Sequence, residues 1–204
     1  DGTLTYTTAA NVSGSSQFSV RVRDNGGTAN GGVDTSLPQT FTVSINAVND
    51  PPAVSLGTIP GINEDSGPQV VPNFAAFSPG PGESGQSLLE YVVSGVSNPA
   101  AFSVPPAINN AGTLTYTPAP DASGTISFTV RARDNGGTDN GGVDLSQPVT
   151  ATMNITGVND PPVAQNKTGF SAQANMAVAG INAGLLTGVT DADAGVNGCN
   201  PTFS

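Results

Sequence analysis

Residues 125–144 read TISFTVRARDNGGTDNGGVD. In the first part, Thr125-Ile-Ser-Phe-Thr-Val-Arg-Ala-Arg133, Ile126, Phe128, Val130 and Ala132 share one face. Thr125, Ser127, Thr129, Arg131 and Arg133 share the other. A strict period of two with one apolar and one wet face predicts a half-buried β-strand. The string that follows is rich in Asn and Gly and predicts a long hairpin connection with residues at positive φ. Asp134, Asp139 and Asp144 recur along it, a spacing that also suits a calcium loop with Asp134 and Asp144 as ligands. An earlier copy of the string carries Ala29 where this one has Asp139, so that carboxylate is dispensable and the turn is the preferred reading. A phosphate loop is excluded, because neither the GK[ST] ending nor a following helix is present.

Outward from this stretch, the chain repeats itself. Residues 1–52 align without a gap on residues 111–162, at an offset of 110 and roughly 33 of 52 identical positions. GTLTYT at residues 2–7 returns at 112–117, RVRDNGGTANGGVD at 21–34 returns almost unchanged at 131–144, and VNDPP at 48–52 returns at 158–162. So long a period suits tandem domains rather than solenoid coils. Two consecutive prolines stiffen VNDPP and make it the joint. The expected organisation is the C-terminal half of one domain at 1–52, a complete domain at 53–162 and the N-terminal half of a divergent domain at 163–204. Such halves expose a sheet edge and an apolar face, so they are expected to be completed by a longer chain or by a neighbouring copy. With Val149–Ile155 and its counterpart Thr40–Val48 as further strands, and no sustained helical period, the expected fold class is all-β, a sandwich of about seven strands per domain.

Composition narrows function. Five Lys and Arg against fifteen Asp and Glu give a net charge of −10 over 204 residues, with no His and no Trp. Five cations cannot build a nucleic-acid face. Without His, the usual base of Ser and Cys hydrolases and the imidazole metal sites are missing. The chain has no membrane-spanning segment, since no apolar run is long enough, and no basic stretch leads into an apolar one. The lone Cys199 cannot form an intrachain disulfide. Arg21, Arg23, Arg131 and Arg133, four of the five cations, sit on equivalent wet faces and are expected to neutralise nearby carboxylates.

The order of NEDSG at 63–67, GTLTYTPAP at 112–120, VRARD at 130–134 and VNDPP at 158–162 resembles the cadherin superfamily. It is more closely similar to the cadherin-like or Ig-like tandem repeats of large bacterial surface proteins and adhesins. That resemblance implies Greek-key β-sandwiches in an elongated array. It also implies calcium (Ca2+) at the joints, with ligands carried over by position. Glu64 and Asp65 match the glutamate near the first strand, and Asp134 and Asp24 match the Asp closing the VxAxD strand. Asn49 and Asp50 match the linker pair at one joint, and Asn159 and Asp160 match it at the next. Asp191 and Asp193, with Asn197, match the DxD of a following repeat. The cadherin DRE triplet is reduced to Asp121-Ala-Ser123 and to Asn11-Val-Ser13, and only Glu83 stands where the middle domain would carry DxD. The implied set is therefore fuller at residue 160 (Glu64, Asp121, Asp160, Asp191, Asp193) than at residue 50 (Asp24, Asn11, Asp50, Glu83, Asp134). The chemistry agrees, since calcium takes about six to eight hard oxygen ligands.

These features imply a non-catalytic, secreted or cell-surface repeat segment, a calcium-stiffened spacer or fibre-forming part of an adhesin. Its partners would be neighbouring repeats of the same or an identical chain. The alternative is an adhesive module, lectin-like or homophilic, that binds a cell-surface protein or glycan through its loops. With three Tyr and no Trp, a stacking platform for sugar is poorly supplied.

Overall fold

The computed structural model describes residues 2–161 and 163. Among these the chain is all-β, interrupted only by one-turn 3-10 segments. The strands are β1 (Gly14–Val20), β2 (Gln39–Ile45), β3 (Ala53–Leu56), β4 (Ile62–Asn63), β5 (Gln69–Val71), β6 (Ala75–Ser78), β7 (Leu88–Ser94), β8 (Phe102–Ile108), β9 (Leu114–Pro118), β10 (Gly124–Asp134) and β11 (Val149–Thr156). Sheets form in the orders β4-β11-β10-β7, β5-β9-β8, β3-β6 and β1-β2. The sequence repeat is also a repeat of register. β1 pairs antiparallel with β2 from Gly14↔Ile45 to Val20↔Gln39, and β10 pairs with β11 from Gly124↔Ile155 to Val130↔Val149. Residues 163–204, apart from Val163, lie outside the described residues, and so does the half-domain expected there.

The alternation in β10 is realised as read: Ile126, Phe128, Val130 and Ala132 are each 0–1% exposed. The chain gathers into two compact units. One comprises Leu56–Ala75, Val93–Val130 and the described residues from Val149 onward. Its core combines Leu114 and Tyr116 of β9 with Ile126 and Phe128 of β10 and with Met153 and Ile155 of β11. Phe74 meets Phe128 at 6.5 Å between ring centroids, and Phe102 meets Tyr116 edge-on at 6.0 Å. Fully burying side chains of this size is worth roughly 1.5–3 kcal/mol each.

Tyr116 carries a cost inside this core. Its hydroxyl is buried with no hydrogen-bond partner, and burial pushes the phenol above its ordinary value of 10.0. An unsatisfied buried hydroxyl costs about 1–3 kcal/mol. Tyr116→Phe is therefore expected to raise stability by about 1 kcal/mol in urea unfolding, since the ring is kept and the orphan group removed. A clear loss of stability would show that the hydroxyl is satisfied. Because burial favours the neutral phenol, this group's contribution is complete below pH 10.0 and is lost as the pH rises past its folded value.

The other unit comprises the described residues up to Ser55, with Ala76–Val92 and Arg131–Pro148. Phe18 of β1 stacks on Phe41 of β2 at 5.6 Å, yet the face around them is uncovered. Tyr6 is 65% exposed, whereas its repeat counterpart Tyr116 is 2% exposed.

Candidate functional site

The site grows from the end of β10. The strand closes on Asp134, whose N–H donates to Asp144 O at 3.0 Å, and Gly142 N–H donates to Asp139 O at 3.0 Å across the tip. Gly137 (φ 77°), Asn140 (φ 56°) and Gly141 (φ 88°) supply the left-handed residues. They are the residue types that tolerate that region, and the turn reading of the loop holds. Arg133 pairs with Asp144 at 2.9 Å and with Glu90 at 3.1 Å, and Arg23 pairs with Asp34 at 2.8 Å. These cations neutralise carboxylates as expected. Arg131 instead donates to the Ser146 carbonyl at 2.7 Å.

Into this loop reaches Asn49, 7% exposed. Its Nδ2 donates to Asp134 Oδ1 at 3.0 Å and to Val143 O at 2.8 Å. Gln86 Nε2 donates to Asn49 Oδ1 at 2.7 Å, and Val143 N–H donates to Asn49 O at 2.9 Å. Asp134 Oδ1 also accepts from Gly136 N–H at 3.0 Å. The next residue, Asp50, donates its N–H to Glu83 Oε1 at 2.9 Å. Two glycines make room for this insertion. A Cβ on Gly136 would overlap Asn49 Oδ1, and one on Gly142 would stand 2.9 Å from Asn49 Cβ. The VND segment is thus clamped by two carboxylates, the Gln86 amide and the backbone of Val143.

The clamp leaves three buried oxygens without a hydrogen-bond partner: Asp134 Oδ2, Glu83 Oε2 and Gln86 Oε1. All three belong to side chains that hold the Asn49–Asp50 pair. A desolvated carboxylate oxygen with nothing opposite it is costly. Hard oxygens in this state fit a calcium ion better than a soft or strictly octahedral one. Among the described residues no group of three acidic or thiol side chains is placed to hold a metal ion. The unpartnered oxygens of the clamp belong to two carboxylates and one amide. Beside them lies an open cleft of about 510 Å³, lined by Asn11, Val48, Asp50, Gly82 and Glu83 among others.

The remaining candidates fall differently. Glu64 is 2% exposed, and its Oε1 accepts from Val158 N–H at 2.5 Å, so it grips the second VND segment. Asp65 is exposed, as is Asp121, which occupies a turn at φ 60°. Asn159 Nδ2 donates to Asp160 O at 3.2 Å. Asp24 is exposed and accepts from Gly26 N–H at 2.8 Å. Asp191, Asp193 and Asn197 lie outside the described residues. Sequence reasoning passed over Gln86 and the seating role of Gly136 and Gly142. A neutral amide has no motif, and a close approach between residues distant in sequence leaves no local signal.

No curated protein matches the chain. A family model described as a bacterial Ig domain matches residues 49–146, a span that opens on Asn49 itself and takes in Glu83, Gln86 and the whole Asp134–Asp144 loop. Residues 49–146 are thus similar to a bacterial Ig domain, which is consistent with the Ig-like repeats of bacterial surface proteins.

Proposed function

We propose that this chain is a non-catalytic repeat segment of an exported bacterial surface protein, a tandem array of Ig-like domains stiffened by calcium at its VNDPP joints. The observation that carries the reading is the clamp on Asn49 and Asp50, with the buried oxygens of Glu83, Gln86 and Asp134 unpartnered around it. Those three residues would hold the ion, whose charge would offset the two carboxylates. The register repeat supports an array. So does the uncovered face at Leu4, Tyr6 and Phe41, which a neighbouring stretch of repeat would bury. Adhesion through the loops is the second reading, favoured by the cleft beside Asp50. That cleft has no aromatic ring in its lining, which argues against sugar stacking.

Calorimetric titration of the full chain with calcium tests the proposal. Glu83→Gln with Asp134→Asn keeps both hydrogen-bond acceptors and removes both charges. Calcium binding at this site is expected to weaken at least about tenfold in the double variant. Calcium should also raise the melting temperature of the parent chain and not of the variant. Unchanged binding would place calcium elsewhere. Asp191→Ala with Asp193→Ala then tests the second joint.

A further inference from the structure

Asn49 stands among the linker residues that the cadherin resemblance makes calcium ligands, yet both of its oxygens are already engaged. Oδ1 accepts from Gln86 Nε2 at 2.7 Å and lies where a Cβ on Gly136 would stand. The main-chain O accepts from Val143 N–H at 2.9 Å. We propose that Asn49 is a positioning residue for the cation site, acting through Asp134 and Gln86 rather than touching the ion. This deepens the calcium reading and rests on it.

Each unpartnered oxygen of the clamp is the second polar atom of a side chain whose first is pinned by residue 49 or 50. Asp134 Oδ1 accepts from Asn49 Nδ2 at 3.0 Å, which leaves Oδ2. Gln86 Nε2 donates to Asn49, which leaves Oε1. Glu83 Oε1 accepts from Asp50 N–H at 2.9 Å, which leaves Oε2. The end torsions of Asp, Glu and Gln are broad and roughly two-fold, so an unpinned side chain is free to present either end.

The direction of the Gln86 amide follows from the same bonds. The Asp134 carboxylate and the Val143 carbonyl can only accept, so the NH2 of Asn49 faces them, at 3.0 and 2.8 Å. That leaves Asn49 Oδ1 toward Gln86, and an acceptor there requires the Gln86 NH2. Gln86 Oε1 is therefore the free end. With the amide reversed, its NH2 would stand in that place and repel a cation. Asp134 and Asn49 are both buried, so little water competes for these bonds. Residues that orient metal ligands in this way typically change affinity about 10–100-fold when replaced.

Calorimetric titration of the full chain with calcium, beside its Asn49→Ala and Asn49→Asp variants, tests the assignment. Both variants keep Glu83, Gln86 and Asp134, and both lose the Nδ2 donor. Affinity is expected to fall about 10–100-fold in each. A ligating Asn49 predicts the opposite sign for Asn49→Asp, since a further carboxylate around the ion would tighten calcium. Equal or tighter binding by Asn49→Asp therefore overturns the proposal. Gly112→Ala controls for lost stability, because its site lies in the other compact unit, and it should bind calcium as the parent does. An equal loss of affinity in Gly112→Ala also overturns the proposal. The second readout needs no metal. With chelator present, the Gln86 side-chain amide of the ¹⁵N-labelled parent should exchange slowly, and in Asn49→Ala it should exchange as a free amide does. A Gln86 amide unmoved by Asn49→Ala counts against the proposal in the same way. A parent chain that takes no calcium overturns this proposal and the calcium reading together. Calcium bound equally by the parent and both Asn49 variants overturns this proposal alone.

Discussion

Gly112→Ala is expected to destabilise the chain by about 3–4 kcal/mol, with an unchanged denaturant slope. Two costs combine. Gly112 sits at φ 76°, and an L-residue held in the left-handed region costs about 1–2 kcal/mol. The new Cβ would also overlap the Ala75 carbonyl oxygen, and forcing atoms into a packed site typically costs about 1–3 kcal/mol. Neither side can yield cheaply. Phe74 N–H and Ala75 N–H both donate to Gly112 O, at 2.8 and 3.0 Å, and Phe74 is 2% exposed. Gly2 is the repeat counterpart and has nothing within 4 Å of a built Cβ, so Gly2→Ala should stay within about 0.5 kcal/mol of the parent. Urea unfolding of the pair checks both values, and a loss below about 1 kcal/mol for Gly112→Ala would refute the steric account.

Gly136→Ala is expected to expel Asn49, at a cost of about 2–3 kcal/mol. The added methyl claims the space of Asn49 Oδ1 and comes within 2.5 Å of Gln86 Nε2. Loss of the seat breaks the bonds to Asp134, Val143 and Gln86 together. Each is worth about 1 kcal/mol net, and part is recovered when water reaches the opened loop. Hydrogen exchange reads the event locally, because Val143 N–H donates to Asn49 O and should lose its protection. Gly26→Ala, with only Asp24 nearby, serves as the neutral control. Protection at Val143 that survives Gly136→Ala would mean that Asn49 does not depend on this glycine.

Legibility followed distance along the chain. The face of β10 could be read from residues 125–133 because the pleat sends neighbouring side chains to opposite sides whatever lies beyond them. The repeat carried the antiparallel register with it: the same offset that aligns the two copies also aligns Gly14↔Ile45 with Gly124↔Ile155. The glycine-rich loop was legible in part. Gly137, Asn140 and Gly141 follow from turn chemistry, whereas Gly136 and Gly142 answer to a side chain that arrives from far upstream. Of the residues that the VNDPP and neighbouring motifs single out, the structure brings together Asn49, Asp50, Glu83 and Asp134 while leaving Asp24 on the exposed counterpart loop.

The amino-acid sequence alone determined the all-β class, the domain-length repeat, the turn residues and the acidic character of the chain. These rest on local rules, namely alternation, the backbone freedom of Gly and Asn, and the charge count. Only the tertiary structure decided that Asn49 is a buried wedge, that Gln86 is its partner, and that Glu83 and Asp134 each keep an unpartnered oxygen. Each of these joins residues separated by tens of positions; Asn49 and Asp134 stand 85 apart. A hydrogen bond across that distance exists only once folding has closed the loop and excluded water, so no short-range pattern records it.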